Sequence, residues 1–197
     1  MSCNEFTMIR GDTFTLGIRW ENNELSMKDI TAISQTAPAQ LTVASHGLPD
    51  RWRAAVTGAQ GMEFLNAQNE PPAAYEFREV QSVDANTLTI PGISSAGRGP
   101  YKGSGALVFR TPIDLTGFTY RMQIRSEVDG TVIWTSTTGD ITYDNATKII
   151  SVAIADTVTE LFTFDTAVFD LEATSGLGVR TTILEGSLLL DKDVTHD

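Results

Sequence analysis

Cysteine occurs once in this chain, at Cys3, so no internal disulfide can form and no cysteine metal cluster can assemble within one copy. Histidine is almost as scarce, and His46 and His196 lie at distant points of the sequence. Bases are outnumbered: 14 Lys and Arg face 25 Asp and Glu, a net charge of −11. Such a surface repels phosphate, so nucleic acid is not an expected partner. No apolar run approaches the roughly 18 residues that a membrane-spanning helix needs. The start, MSCNEFTMIRGD, has neither the basic nor the apolar segment of a secretory leader. The expectation is a chain made in a cytoplasm, with neither membrane insertion nor a cofactor.

What the chain has in quantity is two-residue alternation. In Phe14–Trp20 the residues Phe14, Leu16, Ile18 and Trp20 share one side, with Thr15, Gly17 and Arg19 on the other. Phe118, Tyr120, Met122 and Ile124 alternate in the same way with Thr119, Arg121, Gln123 and Arg125. This pattern predicts antiparallel strands with one buried and one wet face. Further strands are predicted at Val132–Thr135, Ile149–Ile154, Val168–Ala173 and Thr181–Leu190, separated by glycine-bearing turns. One short helix is expected over 156–162, with Asp156 as its cap and apolar residues at 158, 161 and 162.

Between these segments the rhythm changes. Short strands are predicted at Ile30–Ser34, Leu41–Ser45, Trp52–Thr57, Tyr75–Val83, Thr87–Ile90 and Ala106–Phe109. The connecting loops, above all 58–74 and 91–105, are rich in Gly, Pro, Ala and Asn. The fold class expected is all-β: a discontinuous antiparallel β-sandwich over 1–28 and 111–197, with a small β-barrel of residues 29–110 inserted in a hairpin connection. Charge divides along the same lines. Residues 29–110 hold seven acids and six bases, so the flanks carry nearly all of the net charge.

No motif for catalysis competes with this reading. The run Ser95–Gly105 contains glycines and Lys102, but Gly103 follows the lysine and a strand follows the loop, where a phosphate loop requires Ser or Thr opening a helix. Arg10-Gly11-Asp12 reads as a strand-ending turn. His46 reads as a surface or structural histidine in a loop, without convergent partners for metal or base chemistry. Asp165, Asp170 and Glu172, or Asp191 and Asp193, would supply a glycosidase pair only in a cleft at the right separation. Asp140–Asp144 lacks the glycine turn of a calcium loop. Trp20 and Trp134 are in phase with core residues, whereas Trp52, between Arg51 and Arg53, is the nominated exposed aromatic. Protein contacts are expected from the two long loops, through Gly58, Gly61, Phe64, Arg98, Tyr101 and Lys102.

The outer segments FTMIRGDTFTL, IDLTGFTYRMQIRS, VIWTSTTGDI, FDLEATS and TTILEGSLLLDKDVT resemble small phage tail and baseplate proteins. The similar region is the N-terminal β-sandwich of upper baseplate proteins of long-tailed phages. The resemblance implies an attachment module that seats fibre or receptor-binding components in a virion. The inner run ITAISQTAPAQLTVASHGLPDRWRAAVTGAQGMEFLN resembles a small β-barrel named after the first catalytic-cysteine half-domain of ubiquitin-activating enzymes, which recurs in phage tail proteins. The matching elements are His46-Gly47-Leu48 and Gly61 to Asn66. The insert has no cysteine, so the barrel's name implies no ubiquitin chemistry here.

Together these point to a non-enzymatic virion protein of a tailed bacteriophage, an adaptor in the tail, baseplate or collar that anchors fibre, tailspike or neighbouring subunits. Several copies in a symmetric ring would be expected. A module that contacts carbohydrate or a receptor on the host surface is the alternative, and a small glycan hydrolase is the third.

Overall fold

The computed structural model describes residues 4–191, and it is an all-β protein. The first strands are β1 (Asn4–Ile9), β2 (Phe14–Arg19) and β3 (Glu21–Asp29), then β4 (Ala32–Ile33), β5 (Ala39–Thr42) and β6 (Trp52–Thr57). They are followed by β7 (Arg78–Asp84), β8 (Thr87–Ile90), β9 (Ala106–Pro112), β10 (Thr119–Arg125) and β11 (Val132–Thr135). The chain closes with β12 (Ile141–Asp144), β13 (Ile149–Ile154), the single turn of helix α1 (Asp156–Thr159), β14 (Thr166–Thr174) and β15 (Arg180–Asp191).

The chain divides into two compact units. Glu21–Ile113 forms one, and the described residues on either side of it form the other. The inserted unit thus opens at Glu21 rather than Asp29. The reason is β3, whose sequence ENNELSMKD shows no apolar alternation and predicts no strand. It is extended because it pairs with β9, from Glu21 opposite Pro112 to Asp29 opposite Ala106.

In the outer unit a five-stranded sheet has the order β1-β15-β14-β10-β11, and a three-stranded sheet the order β12-β13-β2. Burial follows the alternation read from the sequence. Ala167, Phe169, Leu171 and Ala173 of β14 are buried while Val168, Asp170 and Glu172 between them are not, and Ile150, Val152 and Ile154 of β13 repeat the pattern. Ring contacts extend the packing: Trp20 meets Phe118 edge-on at 5.0 Å, and Phe6 lies 5.8 Å from Phe169. One pairing departs from the antiparallel expectation, because β1 runs parallel to β15, Asn4 opposite Gly186. That approach requires a glycine: a Cβ at Gly186 would stand 2.0 Å from the Asn4 carbonyl oxygen. The chain re-enters this unit through a polar knot. The Asp114 carboxylate accepts from the Thr116 amide at 3.1 Å and its hydroxyl at 2.9 Å, with Lys148 at 3.7 Å.

The inserted unit is one curled seven-stranded sheet, β3-β9-β6-β7-β8-β5-β4. Its core gathers Leu41, Val43, Trp52, Val56, Met62, Leu88, Leu107 and Phe109, with Tyr101 packed at the margin. The strand expected over Tyr75–Val83 begins only at Arg78, because Ala74–Glu76 form a 3-10 turn. The expected helix over 156–162 shortens to α1, with Ala155 rather than Asp156 at its cap position.

Candidate protein-contact site

The two loops singled out in the sequence meet in the structure. Gln60 donates its amide to the Gly103 carbonyl at 3.2 Å, and Lys102 donates to the Gln60 carbonyl at 2.8 Å, so the loops are joined as a short ladder. Gly58 lies against Gly105. Gly61 has φ +80°, and a Cβ there would stand 2.2 Å from the Pro100 carbonyl oxygen, so the join depends on the missing side chain. The Glu63 carboxylate accepts from the Gly61 amide at 2.7 Å. That bond and its own amide, with a lesser contribution from the nearby Lys102 charge, hold the Glu63 carboxyl below its ordinary range against the opposing effect of burial.

The aromatic members divide. Phe64 is 37% exposed, and the Arg98 guanidinium lies over its ring at 4.7 Å, a cation–π pair that links the loops through their side chains. Tyr101 is instead committed inward. Its hydroxyl donates to the Ile30 carbonyl at 2.6 Å and also contacts the Ser104 carbonyl oxygen, and burial, with Asp29 nearby, pushes its phenol up. What the joined loops expose is therefore Phe64, Arg98 and Lys102, with Gly58 and Gly61 shaping the backbone.

Trp52 corrects the sequence reading. It is fully buried, and its indole N–H donates to the Arg110 carbonyl at 2.8 Å. Arg51 and Arg53 on either side of it are exposed, Arg53 by the alternation of β6 and Arg51 in the turn before it, with φ +56°. Trp20 and Trp134, expected inside, are only partly buried. Tyr75, which the predicted strand Tyr75–Val83 included, is the most exposed aromatic among the described residues of the insert, at 80%. Its loop is fixed from below by Glu76, whose carboxylate accepts from the amides of Ala73 at 2.7 Å and Gln68, and from the Asn69 side chain at 3.1 Å. Burial pushes the Glu76 carboxyl up, but these donors outweigh it and hold it below its ordinary value. The pair Pro71-Pro72 beside it was the legible signal of a non-strand segment.

The remaining candidates resolve individually. His46 is buried and structural: its Nε2 lies 2.6 Å from the Asp84 carbonyl oxygen and its Nδ1 accepts from the Leu48 amide at 3.0 Å. Arg10-Gly11-Asp12 is a turn, in which the Asp12 amide donates to the Ile9 carbonyl and Arg10 Nε to the Glu160 carbonyl at 2.8 Å. Asp170 and Glu172 lie on the outer face of β14, where Glu172 pairs with Arg180 at 3.6 Å. Asp193 and His196 lie outside the described residues. Among the described residues no three His, Cys, Asp or Glu side chains are grouped to hold a metal ion. No protein-family model matches this chain, and no curated protein sequence matches it.

Proposed function

We propose that this chain is a structural virion protein of a tailed bacteriophage, an adaptor of the tail, baseplate or collar that holds fibre, tailspike or neighbouring subunits in place. On this reading the outer unit is a β-sandwich that anchors, and the inserted sheet closes as a small barrel that carries the contact loops outward. The supporting observation is the interruption of one β-unit by another with its own core and a different charge. Glu21–Ile113 holds nine acids against seven bases, while the flanks hold sixteen against seven. A ring of several copies would follow from the symmetry of such assemblies.

The resemblance of the outer segments to baseplate attachment modules gives the reading its virion setting. The alternative, a module that binds carbohydrate on a host surface, loses the tryptophan nominated for it, because Trp52 is buried. It retains Tyr75 as an aromatic that a ligand can reach.

Gold-labelled antibody against the chain, viewed by electron microscopy on intact particles, tests the proposal. The expected result is label at a defined level of the tail or collar in every particle. Chain recovered in the cell lysate and absent from purified particles overturns it.

A further inference from the structure

The outer unit contains a cleft of about 290 Å³ that the reading above does not use. One wall is β11, through Ile133 and Trp134; the other is the segment after α1, through Leu161, Phe162 and Phe164. The wall is apolar, and the Phe162 and Phe164 rings lie 5.5 Å apart. Leu161 projects from it with 76% of its surface in solvent, although the helical pattern marks it for burial. Phe162 beside it is buried and secures the wall to the core. Leu161 extends the apolar lining of Ile133, Trp134, Phe162 and Phe164 into solvent, so the cleft offers an apolar side chain of another molecule a place to leave water.

Charge selects the occupant. The acids Asp156, Glu160 and Asp165 are exposed and flank the lining segment in sequence, and residues 149–179 contain neither Lys nor Arg. Arg10 donates to the Glu160 carbonyl at 2.8 Å and brings one positive charge to this segment against its three acids, and Arg125, paired with β11, donates to the Gly130 carbonyl at 2.9 Å. The outer unit of a second copy, with sixteen acids against seven bases, would bring acid against acid, as would an anionic membrane. β11 is also the end strand of its sheet, so a chain in extended form can lie along it.

We propose that this cleft receives an extended segment of a partner protein in which an apolar side chain is flanked by lysines or arginines. The apolar residue enters between Trp134 and Leu161, and the basic residues meet Asp156 and Glu160. The proposal rests on the outer unit alone and does not require the virion reading.

A fluorescein-labelled short peptide of alternating Lys or Arg and Val or Leu, titrated with the full chain and followed by anisotropy, is the test. A peptide with Glu in place of every base is the control. The basic peptide is expected to bind, more weakly at higher salt, and the acidic one not to bind. Leu161→Glu is expected to weaken binding at least about tenfold, equivalent to about 1.4 kcal/mol, despite adding negative charge. Leu177→Glu, at a residue 93% exposed in the turn before β15, is expected to leave it unchanged. Glu160→Lys combined with Asp156→Lys is expected to abolish the preference for the basic peptide.

Both leucines are exposed, so these variants are expected to fold, and far-ultraviolet circular dichroism checks that they do. Equal binding of the two peptides, equal effects of the two leucine variants, or no binding up to about 1 mM protein overturns the proposal. So does a concentration-dependent dimer that Leu161→Glu dissolves, which would make a second copy the occupant.

Discussion

Trp52 and Leu161 exchange the positions that their surroundings in the sequence suggest. Two flanking arginines make Trp52 look like a surface residue, yet the pleat of β6 sends Arg53 outward and the indole into the core, while Arg51 lies in the turn before the strand. Leu161 sits at helical spacing from Val158, yet α1 ends at Thr159 and the leucine is left in solvent. The buried indole also carries a hydrogen bond. Trp52→Phe removes the donor to the Arg110 carbonyl, and an unmatched buried polar group costs about 1–3 kcal/mol. Urea unfolding is expected to show a loss of that size, with the slope of the transition unchanged. An unaltered midpoint would mean that the indole bond adds nothing to stability.

Strands and loops differ in how much of them could be read in advance. β6, β8, β11 and β13 have the bounds read from the sequence, because apolar and β-branched residues closed off by turn residues mark a short strand. β3 and β12 were illegible, since one has Leu25 and an exposed Met27 as its only apolar residues and the other offers only Ile141 as an apolar residue that is not exposed. Their partners, β9 and β13, make them strands. The contact loops were legible as loops from their composition, but the ladder joining Gln60 to Gly103 was not.

One consequence of these loops depends on pH. The Glu63 and Glu76 carboxylates hold backbone amides and titrate below the ordinary glutamate value of 4.5. A depressed folded value means that the stabilisation is present above the unfolded value and is lost as pH falls through the folded one. Amide hydrogen exchange of residues 61–76, corrected for intrinsic rates, is therefore expected to speed up below the ordinary glutamate range before the core strands respond. Glu76→Gln is expected to raise exchange at Gln68 and Ala73 already at neutral pH. Protection that stays flat down to global unfolding would contradict this.

Across the whole molecule, the division into two units has a direct consequence. Every residue of the insert's core cluster lies between Ile30 and Phe109, so this core is built from the insert's own residues. Its two ends are neighbours, because Glu21 pairs with Pro112 on the β3–β9 ribbon. Residues 21–113 expressed alone are expected to give a cooperative thermal transition and dispersed amide resonances. A fragment that is unfolded under these conditions would show that the insert depends on its carrier.

The sequence by itself determined the all-β class, the faces of β2 and β10, the uneven acidity and the presence of a second unit within the first. Each of these is local or compositional: steric alternation along a strand, the turn preferences of glycine and proline, and the sum of charges. Only the tertiary structure decided that β1 lies parallel to β15, that β3 is a strand, that two loops some forty residues apart form one surface, and that an apolar cleft opens beside α1. Those outcomes come from pairings between distant segments, whose free energy arises at contacts that no short window of sequence contains.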